Sequence, residues 1–249
     1  MDHFLLFALA ALIVGASKGG LASAASLAVP ILSLWMDPLH AAGVLLPIYI
    51  VSDVVGVWLY RREYSSRNLA VLIPAGLVGV ILATFVAPHL SVTLTTFFVG
   101  LIGFVYSVQV ALRMLRNAPP VPQPFDARRG AFWGVLAGIT SFISHNGAPP
   151  FQFFVLPQRL PKMEFAGTTT ITFAAINLFK LPSYASVGLL SGLDLRLFLA
   201  MAVVAMVGAV LGRRLSQWLP DHVYRALIEV ILFVLSLYLM GEALIAWLA

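Results

Sequence analysis

The side chains that could do chemistry in this chain are the few charged and polar ones inside its apolar stretches. Between His3 and Met36 the only charged residue is Lys18, within the sequence Gly15-Ala16-Ser17-Lys18-Gly19-Gly20. An ammonium group inside a membrane-length segment costs roughly 3 kcal/mol, so such a residue is expected to have a function. The surrounding glycines and serines interrupt the helix. A cation at a break in a membrane helix predicts an anion site.

A second long apolar run, residues 130–160, is interrupted in its middle by Ser144-His145-Asn146-Gly147-Ala148-Pro149-Pro150. If each run turns back on itself, the second half-helix of each hairpin presents free N–H groups and a positive dipole end to an anion. We expect these half-helices to begin at Gly19-Gly20-Leu21 and at Asn146-Gly147-Ala148. The predicted donors are Ser17, Lys18, Gly19, Gly20 and Ser23 at the first tip, and Ser144, His145, Asn146, Gly147 and Gln152 at the second.

A third group lies in the two helices that follow these breaks. Thr170, Asn177 and Lys180 are spaced at i, i+7 and i+10, which places them on one helical stripe. Asp53 lies deep in the corresponding helix of the first half, and it must pair with a cation or take up a proton. Its predicted partner is Lys18 or Lys180, and the alternative is that it carries a coupling proton.

Structural explanations compete with these functional ones. Lys18 and Lys180 could extend their ammonium groups to a nearby membrane surface. His145 could be an interior histidine without a ligand, and Asp53 could be a structural ion-pair partner. The glycines of the helices, among them Gly79, Gly167 and Gly208, are better explained as small residues at helix contacts.

Composition identifies the class of protein. The chain has 249 residues, of which 61% are hydrophobic and 10% charged, whereas soluble domains contain about 25% charged residues. We therefore expect an all-α integral membrane protein in contact with lipid. The absence of cysteine excludes thiol nucleophiles and thiolate metal sites. No H-E-x-x-H pair is present, and an all-α chain offers no strand-to-helix nucleophile elbow, so we expect no enzyme, no metal and no cofactor. The excess of basic residues is explained by loops that set the membrane orientation, so we expect no nucleic-acid partner.

The apolar segments fall into two matching halves. Beside the two interrupted runs, spans are predicted at residues 39–60, 69–87, 92–112, 165–181, 195–211 and 223–248, about eight membrane segments in all. Asp53 matches Asn177, and Tyr60 matches Tyr184, in the same order along each half. The expected organisation is a first repeat at residues 1–116, a proline-rich cytoplasmic linker at 117–129 and a second repeat at 130–249.

The distribution of arginine and lysine predicts the topology, because cytoplasmic loops are enriched in these residues. If each interrupted run crosses the membrane once, the basic residues divide almost evenly between the two sides. If each is a re-entrant hairpin, nearly all of them fall on one side, with Arg196 opposite and Lys18 and Lys180 within the membrane. The hairpin arrangement makes the repeats inverted, each with one hairpin and three transmembrane helices. Both termini are then on the non-cytoplasmic side.

The first break and the residues after it resemble a known family. Gly15-Ala16-Ser17-Lys18-Gly19-Gly20 followed by Leu27-Ala28-Val29-Pro30 is similar to the glycine-rich opening signature of the sulfite exporter TauE/SafE family. Ala166-Gly167-Thr168-Thr169 at the start of a helix fits as well. The resemblance implies a bacterial inner-membrane transporter of small anions, chiefly sulfite and organosulfonates, with export as its direction. Ser17-Lys18 replaces part of the family's glycine run, which leaves the exact substrate open.

The expected function is therefore a secondary transporter that binds a small anion between the two helix breaks, with proton coupling through Asp53 as one option. A passive anion channel and a cation- or proton-linked transporter using Asp53 are the alternatives. The coupling ion and the oligomeric state stay open, a homodimer being one option.

Overall fold

A computed structural model describes residues 2–21, 24–25, 28–33, 38–86, 91–115, 122–186, 188, 190 and 195–248 of the chain. Within these ranges the structure is helical and contains no β-strand. The ten α-helices are α1 (Asp2–Lys18), α2 (Ala28–Ser33), α3 (Pro38–Tyr60), α4 (Ser66–Val86), α5 (Val92–Leu115), α6 (Ala127–Ser144), α7 (Ala148–Val155), α8 (Lys162–Ser186), α9 (Leu195–Trp218) and α10 (Asp221–Leu248). A 3₁₀ turn, Leu156–Gln158, follows α7.

The apolar helices agree with the expected membrane protein. Among the described residues, four segments are long and apolar enough to cross a bilayer, namely Ala41–Tyr60, Ser66–Phe85, Leu195–Trp218 and Glu229–Leu248. Shorter apolar segments lie in α1 and α5. The chain is a multi-pass membrane protein. The count of eight membrane segments and the inverted orientation of the repeats stay predictions.

Helix packing follows the same pattern in both halves. The first helix of each half packs against the fourth helix of the other, α1 against α9 and α6 against α4. The third helices, α3 and α8, pack against each other, and so do the last ones, α5 and α10. A two-fold relation between the halves would produce this pattern, and the division into two repeats stays a prediction.

The ends of α6 show how local sequence sets the helix boundaries. Asp126 caps its N-terminus by accepting hydrogen bonds from the backbone N–H groups of Arg128 at 2.8 Å and Arg129 at 3.2 Å. The helix therefore begins at Ala127, three residues before the predicted start of the second repeat at residue 130. At its other end His145 adopts a left-handed conformation with φ 52°. Only the three residues from His145 to Gly147 separate α6 from α7.

The basic segments lie together at one end of the bundle, which we call the basic end. The loop after α3, the start of α4, the segment before α6, the start of α8 and the end of α9 make pairwise contacts there. The contacts are an Arg213–Glu63 ion pair of 2.7 Å, the Arg67 guanidinium 4.2 Å from the Phe125 ring centre, and a 2.6 Å hydrogen bond from Lys162 Nζ to the Leu219 carbonyl. The hairpin arrangement predicts such a clustering, and the arrangement itself stays a prediction.

Candidate functional site

A cavity of about 30 Å³, which we call the central cavity, lies where the two helix breaks approach each other. The end of α1 and the α6–α7 junction contribute to it, as do α3 and α8. Its lining residues are Ser17, Lys18, Ala25, Tyr49, Ser141, His145, Ala148, Thr169, Phe173 and Asn177. The structure thus brings residues of both predicted tips and of the α8 stripe to one place.

The first polar group at this cavity is formed by Lys18, Asp53 and Asn177. The Lys18 ammonium lies 2.8 Å from Asp53 Oδ1, and both side chains are about 95% buried, with exposed fractions of 6% and 5%. The Asn177 amide donates to Asp53 Oδ2 at 2.8 Å. Of the two cations expected as partners of Asp53, the structure therefore selects Lys18. Asp53 and Asn177, which match in the repeat, also meet directly.

The second polar group is formed by Lys180, His145 and Ser141. The His145 Nε2 atom lies 3.0 Å from the Ala42 carbonyl oxygen, which can only accept, so Nε2 carries the hydrogen. In the neutral ring Nδ1 is then an acceptor, and Lys180 Nζ lies 2.8 Å from it. Lys180 also donates to the carbonyl and hydroxyl of Ser141 at 3.1 and 3.2 Å. Lys180 is fully buried, so its ammonium does not extend to a membrane surface.

Tyr49 connects the two groups and was not predicted from the sequence. Its ring stacks on that of His145 with 4.7 Å between ring centres and 10° between planes. The Lys18 ammonium lies 4.9 Å from the centre of the same ring. Its hydroxyl donates to the Ala25 carbonyl at 3.0 Å. A signal for Tyr49 was available, because it precedes Asp53 by four residues and so shares its helix face.

Ser141 and Thr169 are the other polar lining residues that were missed. Ser141 precedes His145 by four residues, and the His145 N–H donates to its carbonyl at 3.0 Å. Thr169 donates its hydroxyl to the Phe165 carbonyl at 2.8 Å, one turn back in α8. Serine and threonine are common in membrane helices because they can bond to their own backbone in this way. For this reason the sequence does not distinguish a serine or threonine that lines a site from one that only bonds to its own helix.

The end of α1 differs from the prediction of a half-helix beginning at Gly19-Gly20-Leu21. The N–H of Gly19 donates to the Gly15 and Ala16 carbonyls, and the N–H of Gly20 to the Ser17 carbonyl, as at the C-terminus of a helix. Gly20 has φ +124°, which terminates α1 and suits glycine alone. The prediction that these N–H groups are free for an anion is wrong, because α1 continues to Lys18.

Gly15 and Gly19 instead allow α1 to pack closely on α9. A Cβ added to Gly15 would overlap the Ala205 backbone, and one added to Gly19 would lie 2.6 Å from the Gly212 carbonyl carbon. The carbonyl of Gly19 accepts hydrogen bonds from the Tyr60 hydroxyl and, at 3.1 Å, from the Ser216 hydroxyl. Gly79, Gly167 and Gly208 also approach backbone of neighbouring segments, which confirms their interpretation as contact residues.

The second tip agrees better with its prediction. Gly147 precedes α7, and a Cβ there would lie 2.7 Å from the Ala137 carbonyl oxygen. Ala148, the first residue of α7, lines the central cavity. Because Pro149 and Pro150 follow, Ala148 is the only one of the first three α7 residues with a backbone N–H. The positive end of the α7 dipole lies at this tip, but the tip has fewer free N–H donors than the sequence predicted.

The remaining predicted site residues lie close to the cavity or outside the part of the chain that the structure describes. Asn146 and Gln152 are buried but do not line the cavity. Thr170 is buried and donates to the Lys18 carbonyl at 3.0 Å, so it orients the end of α1. Ser17 lines the cavity while donating to the Val14 carbonyl at 2.6 Å. Ser23 and the Ser144 side chain lie outside the described residues. Within the described ranges, no cluster of three His, Asp or Glu side chains could hold a metal ion.

Comparison with known protein families matches residues 7–239 to the family described as sulfite exporter TauE/SafE. The match includes both helix breaks and every described residue of the central cavity. Neither the curated proteins nor the solved structures give a significant match. The family match confirms the resemblance carried by the glycine-rich motif and the residues after it.

Proposed function

The chain belongs to the sulfite exporter TauE/SafE family, and on that premise we propose that it exports small anions, sulfite or organosulfonates, across the bacterial inner membrane as a secondary transporter. The family is one of transporters. The substrate would bind in the central cavity, beside Lys18 and within reach of the positive charge of Lys180. The export direction follows from the family resemblance alone.

The observation that carries the proposal is an imbalance of charge around the cavity. Among the buried side chains that the structure describes, the charged ones are Lys18, Lys180 and Asp53. Asp53 is paired with Lys18, whereas the contacts of the Lys180 ammonium are with the neutral groups of His145 and Ser141. A buried ammonium without a counter-charge is costly. A bound anion would offset that cost.

The size and lining of the cavity favour a compact anion. A volume of about 30 Å³ corresponds to room for about two water molecules. The cavity is bordered by the Lys18 ammonium, the Asn177 amide and Ala148, the first residue of α7. A sulfite ion or the sulfonate group of a larger molecule presents several acceptor oxygens to such donors.

Asp53 offers a route to proton coupling. Its two carboxylate oxygens are occupied by Lys18 and Asn177, so an anion that binds to Lys18 competes with Asp53. A proton taken up by Asp53 would release Lys18 for the substrate, and anion and proton would then move together. The same occupation of both oxygens argues against a carrier that binds a metal cation at Asp53.

Flux in proteoliposomes tests the function. Sulfite and an alkylsulfonate are supplied to vesicles containing the wild-type chain, Lys18→Ala, Lys180→Gln or Lys162→Gln. Lys162 is the matched control, because it is a lysine at the basic end, where it donates to the Leu219 carbonyl. Loss of a charge-assisted hydrogen bond, about 1.5–3 kcal/mol, predicts at least about a tenfold fall in transport efficiency for the two cavity variants.

The outcomes distinguish the alternatives. Saturable sulfite flux that is lost in Lys18→Ala and Lys180→Gln but kept in Lys162→Gln supports the proposal. Flux that rises linearly with anion concentration would identify a channel. Equal efficiency in all four proteins would exclude the central cavity as the anion site. Proton movement that accompanies sulfite in the wild type and is absent in Asp53→Asn would support coupling through Asp53.

A further inference from the structure

A second pocket lies at the basic end, away from the central cavity. Its volume is about 300 Å³, and it is lined by Trp58, Leu59, Arg61, Arg62, Glu63 and Arg213. Three of the lining residues are arginines and one is a glutamate. The glutamate is already engaged, because Glu63 Oε2 pairs with Arg213 at 2.7 Å. Two positive charges at the pocket therefore have no counter-charge among its lining residues.

Two of the three arginines of this pocket, Arg61 and Arg213, lie against aromatic rings. Arg61 Nη1 donates to the Trp58 carbonyl at 2.6 Å, and its guanidinium lies 4.8 Å from the centre of the Trp58 ring. Arg213 lies 4.3 Å from the centre of the Tyr60 ring. Arginine held against aromatic faces keeps its remaining donors in a fixed fork, which suits the oxygens of a phosphate group.

The position of the pocket indicates where such a phosphate comes from. The pocket lies at the end of the apolar segment Ala41–Tyr60, one of the four that could cross a bilayer. Trp58, which lines it, is 62% exposed, and Val54, one turn earlier on the same helix face, is 68% exposed. An outward apolar stripe that ends in tryptophan and arginine is typical of a helix passing from acyl chains to headgroups. The pocket thus faces the membrane interface.

We propose that this pocket binds the phosphate headgroup of an anionic membrane lipid, with Arg61 and Arg62 as its principal ligands and Trp58 packed beside the glycerol region. Glu63 holds Arg213 in place, so the lipid phosphate is bound by the two exposed arginines. The pocket shares no lining residue with the central cavity. Tyr60 lies between the two regions, because its ring lies against Arg213 and its hydroxyl donates to the Gly19 carbonyl, next to Lys18.

Lipid binding to the full chain tests the proposal. The purified protein in a neutral detergent is titrated with phosphatidylglycerol or phosphatidylcholine, and bound lipid is counted by native mass spectrometry. The test variant is Arg61→Gln with Arg62→Gln. The control is Arg128→Gln with Arg129→Gln, also a consecutive pair of exposed arginines at the basic end, whose backbone cap by Asp126 is unaffected. A parallel arm adds inorganic phosphate as competitor.

The wild type is expected to prefer phosphatidylglycerol to phosphatidylcholine. Each arginine near an anionic lipid surface changes affinity roughly fivefold, so the test pair should weaken phosphatidylglycerol binding by about 25-fold and the control pair by much less. Equal losses in both pairs would mean diffuse attraction and would overturn the proposal. Displacement of the lipid by millimolar inorganic phosphate would also overturn it, by showing a site for soluble anions. If the double variant does not fold, Arg62→Gln alone gives the same comparison with Arg128→Gln.

Discussion

Replacing Asp53 and Lys18 together should cost clearly less stability than the sum of the two single replacements. The two side chains form an ion pair of 2.8 Å with exposed fractions of 6% and 5%. At that distance, with an effective dielectric constant of 20, the attraction is about 6 kcal/mol. Part of it is offset by the loss of hydration of both charges. Removing one partner of a buried pair typically costs about 3–5 kcal/mol, because the other charge stays buried and unpaired.

The experiment is a double-mutant cycle with Asp53→Asn, Lys18→Met and their combination. Asparagine keeps a carbonyl oxygen that can accept from Asn177, so the cycle isolates the charge. Each single variant should lower the free energy of unfolding by about 3 kcal/mol. The double variant should lose clearly less than the sum, which gives a coupling of at least about 2 kcal/mol. Unfolding in mixed micelles, followed by circular dichroism, measures these differences.

The Arg213–Glu63 pair at the basic end is the matched control. Its distance is similar, 2.7 Å, but its side chains are 15% and 37% exposed. Solvent at the more exposed Glu63 screens this pair, and fully exposed pairs contribute only about 0.2–1 kcal/mol, so the same cycle here should give a smaller coupling than at Asp53 and Lys18. A coupling below about 0.5 kcal/mol at Asp53 and Lys18 would refute a dry, paired site. The assignment of Asp53 as the counter-charge of Lys18, on which the count of charges around the cavity depends, would then fail as well.

Three further measurements test the helix packing, the end of α1 and the topology. Gly15→Ala should destabilise the chain by about 1–3 kcal/mol, because its methyl group would overlap the α9 backbone. The control is Gly241→Ala, which places a Cβ with nothing within 4 Å and should be neutral or stabilising in the same unfolding assay. Equal effects of the two substitutions would contradict the close contact of α1 with α9. Tyr60→Phe removes one of two hydrogen bonds to a buried carbonyl and should lower the unfolding free energy by about 0.5–1.5 kcal/mol; no change would show that the bond contributes nothing. Because the chain has no cysteine, Tyr64→Cys and Leu195→Cys, both at exposed positions, can be labelled singly with a membrane-impermeant maleimide in cells. Labelling of the cysteine at 195 alone is expected, and labelling at 64 from outside would refute the predicted topology.

Several features of the site could be predicted because they depend on local sequence or on the cost of burial. Lys18, Asp53, Asn177 and Lys180 stand out in an apolar chain, and burial confirms that all four are interior. The break at His145 follows from the adjacent glycine and prolines. These signals need no knowledge of the partner, because a buried charge requires some compensation wherever its helix lies.

The role of the first glycine run could not be predicted in the same way. Glycine is compatible with a helix start, a helix end and a close helix contact, and the sequence does not choose among them. The choice depends on α9, whose Ala205 and Gly212 backbone lies against Gly15 and Gly19. The structure has a helix end where the sequence predicted an anion-binding helix start, and the first tip contributes Ser17 and Lys18 to the cavity.

The sequence alone identifies a helical membrane protein of the TauE/SafE family and some of the polar residues of its interior, among them Lys18, Asp53 and Asn177. Those properties are local, since they follow from apolar composition, from short motifs and from the cost of placing charge in lipid. The tertiary structure decided the pairing of Asp53 with Lys18 and with Asn177, 124 residues away. It also decided the stacking of Tyr49 on His145. The sequence of an apolar helix does not identify its neighbours, because several of its faces could be buried equally well against another helix. Which helices pair is decided only when the whole bundle packs.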